Sequence, residues 1–232
     1  MRKTTTMAIA LAIGAAAALS TVWADDYYNT PSPPRTIIVG IDLSTSNPLI
    51  VNEPFAGKVA VRVGSMIEGL APHSRVQLRS FGTYDSGANA ALTFDATIAP
   101  RTARPEEIAR FITSVVASVP KLVSSGKVHA QNATNIIAFL DNMAAITDCR
   151  ALPATVILAS DGIEDSKLAN LSHRRGSLPM PARPIYQGCD QLVILGLAQG
   201  VNDPRETQRL RDEWTAWAQA AGFKSFIGLN DW

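Results

Sequence analysis

Apolar residues in this chain fall into short blocks of two kinds. Thr36-Ile37-Ile38-Val39-Gly40-Ile41-Asp42, Ala154-Thr155-Val156-Ile157-Leu158-Ala159 and Gln191-Leu192-Val193-Ile194-Leu195-Gly196-Leu197 are nearly continuous apolar runs rich in β-branched residues. That pattern predicts strands buried on both faces of a parallel sheet. Arg75 to Phe81 and Ala91 to Ile98 instead alternate polar and apolar positions on either side of the turn-rich stretch Asp85-Ser86-Gly87-Ala88-Asn89. The alternation predicts an antiparallel hairpin at a sheet edge. Lys224 to Leu229 reads as a last short strand.

Between these runs the apolar period changes from two to about three and a half. Phe55, Val59, Val63, Met66 and Leu70 predict a helix covering the sheet, bounded by Gly69 and Pro72. Arg104-Pro105-Glu106-Glu107 opens a second helix, with Ile108, Phe111, Ile112, Val115 and Val116 on its apolar face and Pro120 as its stop. Residues 121–131 read as a connection. Asn132-Ala133-Thr134-Asn135 offers several caps for a third helix carrying Ile136, Ile137, Leu140, Met143 and Ala144. From Ile163 to Gly188 the chain is polar and broken by Gly176, Pro179, Pro181 and Pro184, which predicts a long surface loop and a candidate rim for a binding site. A fourth helix starts near Asp203-Pro204 and turns Leu210, Trp214, Trp217 and Ala221 inward. Strands alternating with helices predict an α/β fold: an open, doubly wound, mostly parallel six-stranded sheet with one antiparallel edge strand and helices on both faces.

The first residues change the picture of where the protein works. Met1-Arg2-Lys3, the apolar run from Ala8 to Leu19 and the small-residue exit Val22-Trp23-Ala24 have the order of a secretory signal peptide over residues 1–24. The proline-rich stretch 25–35 then reads as a tether, and 36–232 as the domain. The apolar run is too short to span a bilayer, which favours cleavage near Ala24, and no transmembrane segment follows it, so the mature chain is expected to carry no membrane span and to be periplasmic or secreted. Without Arg2 and Lys3, 19 basic residues stand against 20 acidic ones, a formal charge of −1. Such a surface does not point to nucleic acid. In an exported protein the two cysteines, Cys149 and Cys189, are expected to pair, since they precede neighbouring parallel strands. In the chain-entropy model the bond would be worth about 3–4 kcal/mol.

Candidate chemistry gathers at strand ends. In Asp42-Leu43-Ser44-Thr45-Ser46 an aspartate is followed by hydroxyls at alternating positions, which puts three oxygen side chains on one side of an extended segment. Oxygen donors of this kind suit a hard divalent cation. The second buried run ends similarly, in Ser160-Asp161-Gly162. Ligands of open α/β sheets sit beyond the carboxyl ends of the strands, where Asp42, Ser44, Ser46, Thr134 and Asp161 would all fall.

These pieces carry a resemblance. Asp42-Leu43-Ser44-Thr45-Ser46 matches the Asp-x-Ser-x-Ser of the von Willebrand factor type A family, and Thr134 ahead of a helix and Asp161-Gly162 after a strand match its other two conserved pieces in order. Thr45 and Asn132-Ala133 stand where the family usually has glycine. The resemblance implies a metal-ion-dependent adhesion site: Ser44 and Ser46 as hydroxyl ligands, with Asp42, Thr134 and Asp161 completing the shell directly or through water. Mg²⁺ is the implied ion, with Mn²⁺ or Ca²⁺ as alternatives, and a protein partner would add an acidic residue to it. The implied function is an exported, metal-dependent protein-interaction module rather than an enzyme. A divalent-metal hydrolase and a small-ligand-binding periplasmic protein are the alternatives, but no Asp-x-Asp, Gly-x-Ser-x-Gly or His-Glu-x-x-His motif supports the first. The second usually needs two lobes. His73, His129 and His173 fall in expected loops.

Overall fold

A computed structural model describes residues 32–83, 89–173 and 175–232. The expected signal peptide, its cleavage point, most of the tether and the turn at 85–88 lie outside the described residues. Pro33–Trp232 form one compact unit.

Six strands make one sheet: β1 (Thr36–Asp42), β2 (Arg75–Phe81), β3 (Thr93–Thr97), β4 (Ala154–Ala159), β5 (Gln191–Leu195) and β6 (Ser225–Leu229). Their order across the sheet is β3-β2-β1-β4-β5-β6, and only β3 runs antiparallel. All seven residues of β1 and all six of β4 are buried, as their unbroken apolar runs require. β3 at the edge keeps the alternation of a half-exposed strand. Among the described residues four α-helices pack on the sheet: α1 (Glu53–Glu68), α2 (Pro105–Ser124), α3 (Ile136–Ile146) and α4 (Pro204–Ala221).

Side chains of a strand alternate, so β1 feeds two cores. Ile37, Val39 and Ile41 pack with Val59, Val63 and Ile67 of α1 and Ile112 and Val116 of α2. On the other side, Ile38 packs with Leu140 and Met143 of α3 and Leu210, Trp214 and Trp217 of α4. This is a doubly wound, Rossmann-like α/β fold, consistent with the von Willebrand factor type A resemblance. From β1 the chain winds outward to β2 and β3, then returns to place β4 on the opposite flank of β1. The strand order therefore reverses between β1 and β4, the position where such sheets bind ligands.

Three local expectations are corrected. Pro120 does not stop α2, which continues to Ser124 with Pro120 buried near its end. Proline removes one helical N–H and crowds the carbonyl four residues earlier; here its ring is part of a packed face, and helical bonds resume beyond it with Ser125 N–H donating to Lys121 O. The stretch 132–135 provides no side-chain cap for α3. The described residues of the loop 163–188 form no helix or strand of the sheet, but the loop is not simply a polar surface segment, since Leu171, Leu178 and Tyr186 are buried. Arg209 of α4 donates to the carbonyls of Leu171 (2.6 Å) and Gly176 (2.7 Å), and Leu178 N–H donates to Glu213 (2.9 Å).

Cys149 and Cys189 form a disulfide. Cys149 precedes β4 and Cys189 precedes β5, at the sheet end opposite Asp42. Among the described residues no helix is long and apolar enough to cross a membrane.

Candidate functional site

β1 ends in Asp42, whose parallel neighbour β4 ends at Ala159 and runs into Ser160-Asp161. Pairing of Ile41 with Ala159 sets the two aspartates side by side at the same end of the sheet. The Asp42 carboxylate is fully buried and already engaged: Oδ1 accepts from the Ser44 N–H (2.8 Å) and Oδ2 from the Ser160 hydroxyl (2.7 Å). The Ser44 and Ser46 hydroxyls lie 3.2 Å apart, and the Ser46 hydroxyl favours the charged form of Asp161. Asp161 in turn accepts from the Ile163 N–H (2.9 Å). Asp42, Ser44, Ser46 and Asp161 are thus brought together.

Thr134 reaches this group through its backbone. Its N–H and carbonyl exchange bonds of 3.0 Å each with Asp165, four residues after Asp161. One turn earlier, Gln131 is paired with Ser44: Gln131 N–H donates to Leu43 O and Thr45 N–H to Gln131 O, both at 2.8 Å. The segment before α3 is therefore laid against both the Asp42 loop and the Asp161 loop. Thr134 is buried, whereas Thr45 and Ser46 are exposed, so the cluster has one face toward solvent.

Burial dominates the electrostatics. It raises the Asp42 carboxyl to about 6, against the Ser160 and Ser44 bonds that favour the charged form. Asp161 is raised to about 7, by burial and then by the charge of Asp42 beside it. No basic side chain contributes to either shift. Two close carboxylates without a counter-charge are unfavourable in a low-dielectric setting, and a cation is one way to relieve them. The donor set fits a hard ion: carboxylate and hydroxyl oxygens only, with no sulfur or imidazole. Among the described residues no three His, Cys, Asp or Glu side chains gather as a metal site, so any ion here would depend on the serine and threonine hydroxyls.

Several residues that shape the site were not singled out from sequence. Ser160 holds Asp42, although its place just before Asp161 was a signal. Asn47 is buried and its amide donates to the carbonyls of Asp42 (2.8 Å) and Ala159 (3.1 Å), stapling the ends of β1 and β4. Gln131 also accepts from the Thr83 N–H through its side chain. Glu164 is fully buried and raised to about 7, chiefly by that burial. Asp165 is exposed and its carboxylate accepts from Asn170 (2.7 Å). The three histidines are exposed.

No family model matches the chain, and no curated protein matches it in sequence. Among solved structures, the pilus adhesin SpaC from Lactobacillus rhamnosus GG in its open conformation is similar at 11% identity over 87% of this chain, with a TM-score of 0.46. A second crystal structure of that adhesin gives 13% over 85%, with a TM-score of 0.49. This chain spans only 28% of the adhesin's length. An aerotolerance-related membrane protein from Bacteroides fragilis NCTC 9343, solved with multiple mutations to serines, is 15% identical over 85% of this chain and 92% of its own, with a TM-score of 0.43. At these identities and scores none of them assigns a family, and the fold rests on the topology itself.

Proposed function

We propose that this chain is an exported protein-interaction module that docks a partner through a divalent cation, Mg²⁺ in the first instance. The observation that carries the reading is the convergence of Asp42 and Asp161, two buried carboxylates without a basic neighbour, on the Ser44–Ser46 hydroxyl pair at the reversal point of the sheet. Ser44 and Ser46 would bind through their hydroxyls, and Asp42, Thr134 and Asp161 would complete the shell directly or through water. When bound, the ion would supply an open coordination position for an Asp or Glu of the partner. Asn47 and Ser160 keep the two strand ends and the Asp42 carboxylate fixed, so the oxygens are held in place before binding. The likeness of Asp42-x-Ser44-x-Ser46, Thr134 and Asp161-Gly162 to the von Willebrand factor type A motif points the same way. An exported location is supported by the disulfide, which persists in oxidising compartments.

The test is thermal unfolding of the metal-stripped chain with and without MgCl₂. Wild type should gain stability with Mg²⁺, by about 2.7 kcal/mol at a hundredfold excess over Kd. Asp42→Ala should lose that gain. Ser46→Ala, at an exposed position, should keep the fold and weaken the gain. A wild-type chain indifferent to Mg²⁺, Mn²⁺ and Ca²⁺ would refute the reading, as would an unchanged gain in both variants.

A further inference from the structure

Among the described residues Glu164 is the one fully buried acid that this reading leaves unused, and both its oxygens are committed. Oε2 accepts from the N–H groups of Ile136 (2.7 Å) and Ile137 (3.1 Å), the first two residues of α3. Oε1 accepts from the Ser166 hydroxyl at 2.5 Å. The opening N–H groups of a helix have no partner inside it. Asn135, at the cap position of α3, offers no side-chain cap bond, because its amide is turned away to donate to Gly82 O at 2.6 Å. A carboxylate from a different loop therefore caps this helix. The positive end of the helix makes Glu164 tolerable in the interior without a basic partner.

The position of this cap matters more than its existence. Ile136 lies two residues after Thr134, and Glu164 lies three residues after Asp161. A single carboxylate thus ties the segment that presents Thr134 to the segment that presents Asp161. The Thr134–Asp165 backbone pair lies next to this tie and joins the same two segments. A backbone pair of two bonds leaves a hinge about its own axis, and a second attachment a few residues away removes it.

We infer that Glu164 is a positioning residue of the candidate site, holding the Thr134 and Asp161 loops in fixed relation through the first turn of α3. It is not itself a ligand, since its oxygens are spent on the helix and on Ser166. The inference rests on the metal reading only for its consequence in affinity; the tie between the two loops stands on the contacts alone.

The experiment compares Glu164→Ala, Glu164→Gln and Asn52→Ala. Asn52 caps α1, accepting from the Phe55 N–H at 3.0 Å, and serves as a control for the loss of a helix cap elsewhere. Mg²⁺ affinity, measured by calorimetric titration, should fall roughly 10- to 100-fold in Glu164→Ala, the usual penalty for losing a group that orients ligands. Glu164→Gln keeps an acceptor oxygen for the helix and should restore affinity to within about threefold of wild type, on the premise that one acceptor suffices at a cap. Asn52→Ala should lower the melting temperature without changing affinity. Unchanged Mg²⁺ affinity in Glu164→Ala overturns the inference. Amide hydrogen exchange on the same variants gives a metal-independent reading. Glu164→Ala should lose protection both in the first turn of α3 and across 161–166. Loss confined to the first turn of α3 would make Glu164 a cap and nothing more, and would overturn the inference. If wild type takes up no metal, the proposed function fails and the exchange pattern alone decides the role of Glu164.

Discussion

Asp42 shows how much of a site a local motif can specify. Its bond from the Ser44 N–H spans two residues, the reach of an aspartate that turns its own backbone, and such a turn is readable from an Asp-x-Ser sequence. Its other oxygen is held by Ser160, 118 positions away, which only the pairing of β1 with β4 brings near. Gly162 shows the same split. An aspartate–glycine pair after a strand announces a turn, but the reason for glycine lies in its surroundings: φ is +73°, and a Cβ would stand 2.6 Å from Leu197 Cδ1. Its carbonyl also accepts from the Trp214 indole at 2.7 Å. Gly162→Ala should therefore cost about 1–2 kcal/mol from backbone conformation alone, and more from the contact with Leu197. Chemical denaturation would measure it, and a loss below about 0.5 kcal/mol would contradict this account of the turn.

At the scale of elements, the sequence periodicity located the four long α-helices and six strands of the described residues, because burial on a strand or helix face must recur with the period of that element. The ends were less legible. Proline in the last turns of α2 reads as a terminator when only backbone bonding is considered, yet a packed ring outweighs the lost bond. The contact between α1 and α2 is likewise set by a residue that no hydrophobic pattern marks. A Cβ at Gly64 would lie 2.2 Å from the Thr113 hydroxyl, which donates to the Ala60 carbonyl at 3.3 Å. The helices approach closely there because α1 lacks a side chain. Gly64→Val should force them apart and lower stability by about 1–3 kcal/mol, despite the better helix propensity of valine. Denaturant melts check this; equal or greater stability in the variant would mean that the approach is not tight.

For the molecule as a whole, the acids beneath the site make stability depend on pH in an uncommon direction. Glu164 is raised from 4.5 to about 7, with burial the largest cause. Between those values the folded chain keeps a proton that the unfolded chain has lost, so this group favours folding fully below about pH 4.5 and loses that advantage as pH rises through 7. In the absence of metal, wild type should therefore lose stability relative to Glu164→Gln on going from pH 5 to pH 7.5. A difference between the two proteins that stays constant, or moves the other way, would show that Glu164 is ionised throughout. The sequence by itself determined the strand and helix order, the mostly parallel sheet, the expected cysteine pair and the oxygen-bearing residues Asp42, Ser44, Ser46 and Asp161 at the ends of two buried runs, because each is written in local periodicity, turn chemistry or the position of a residue along an element; Thr134 joined them only through the family resemblance. Only the tertiary structure decided that β4 lies against β1, that Ser160 and Asn47 fix the strand ends, and that Glu164 caps α3 from another loop. Each of these is a contact between residues far apart in the chain, and the pattern around either partner carries no mark of the other.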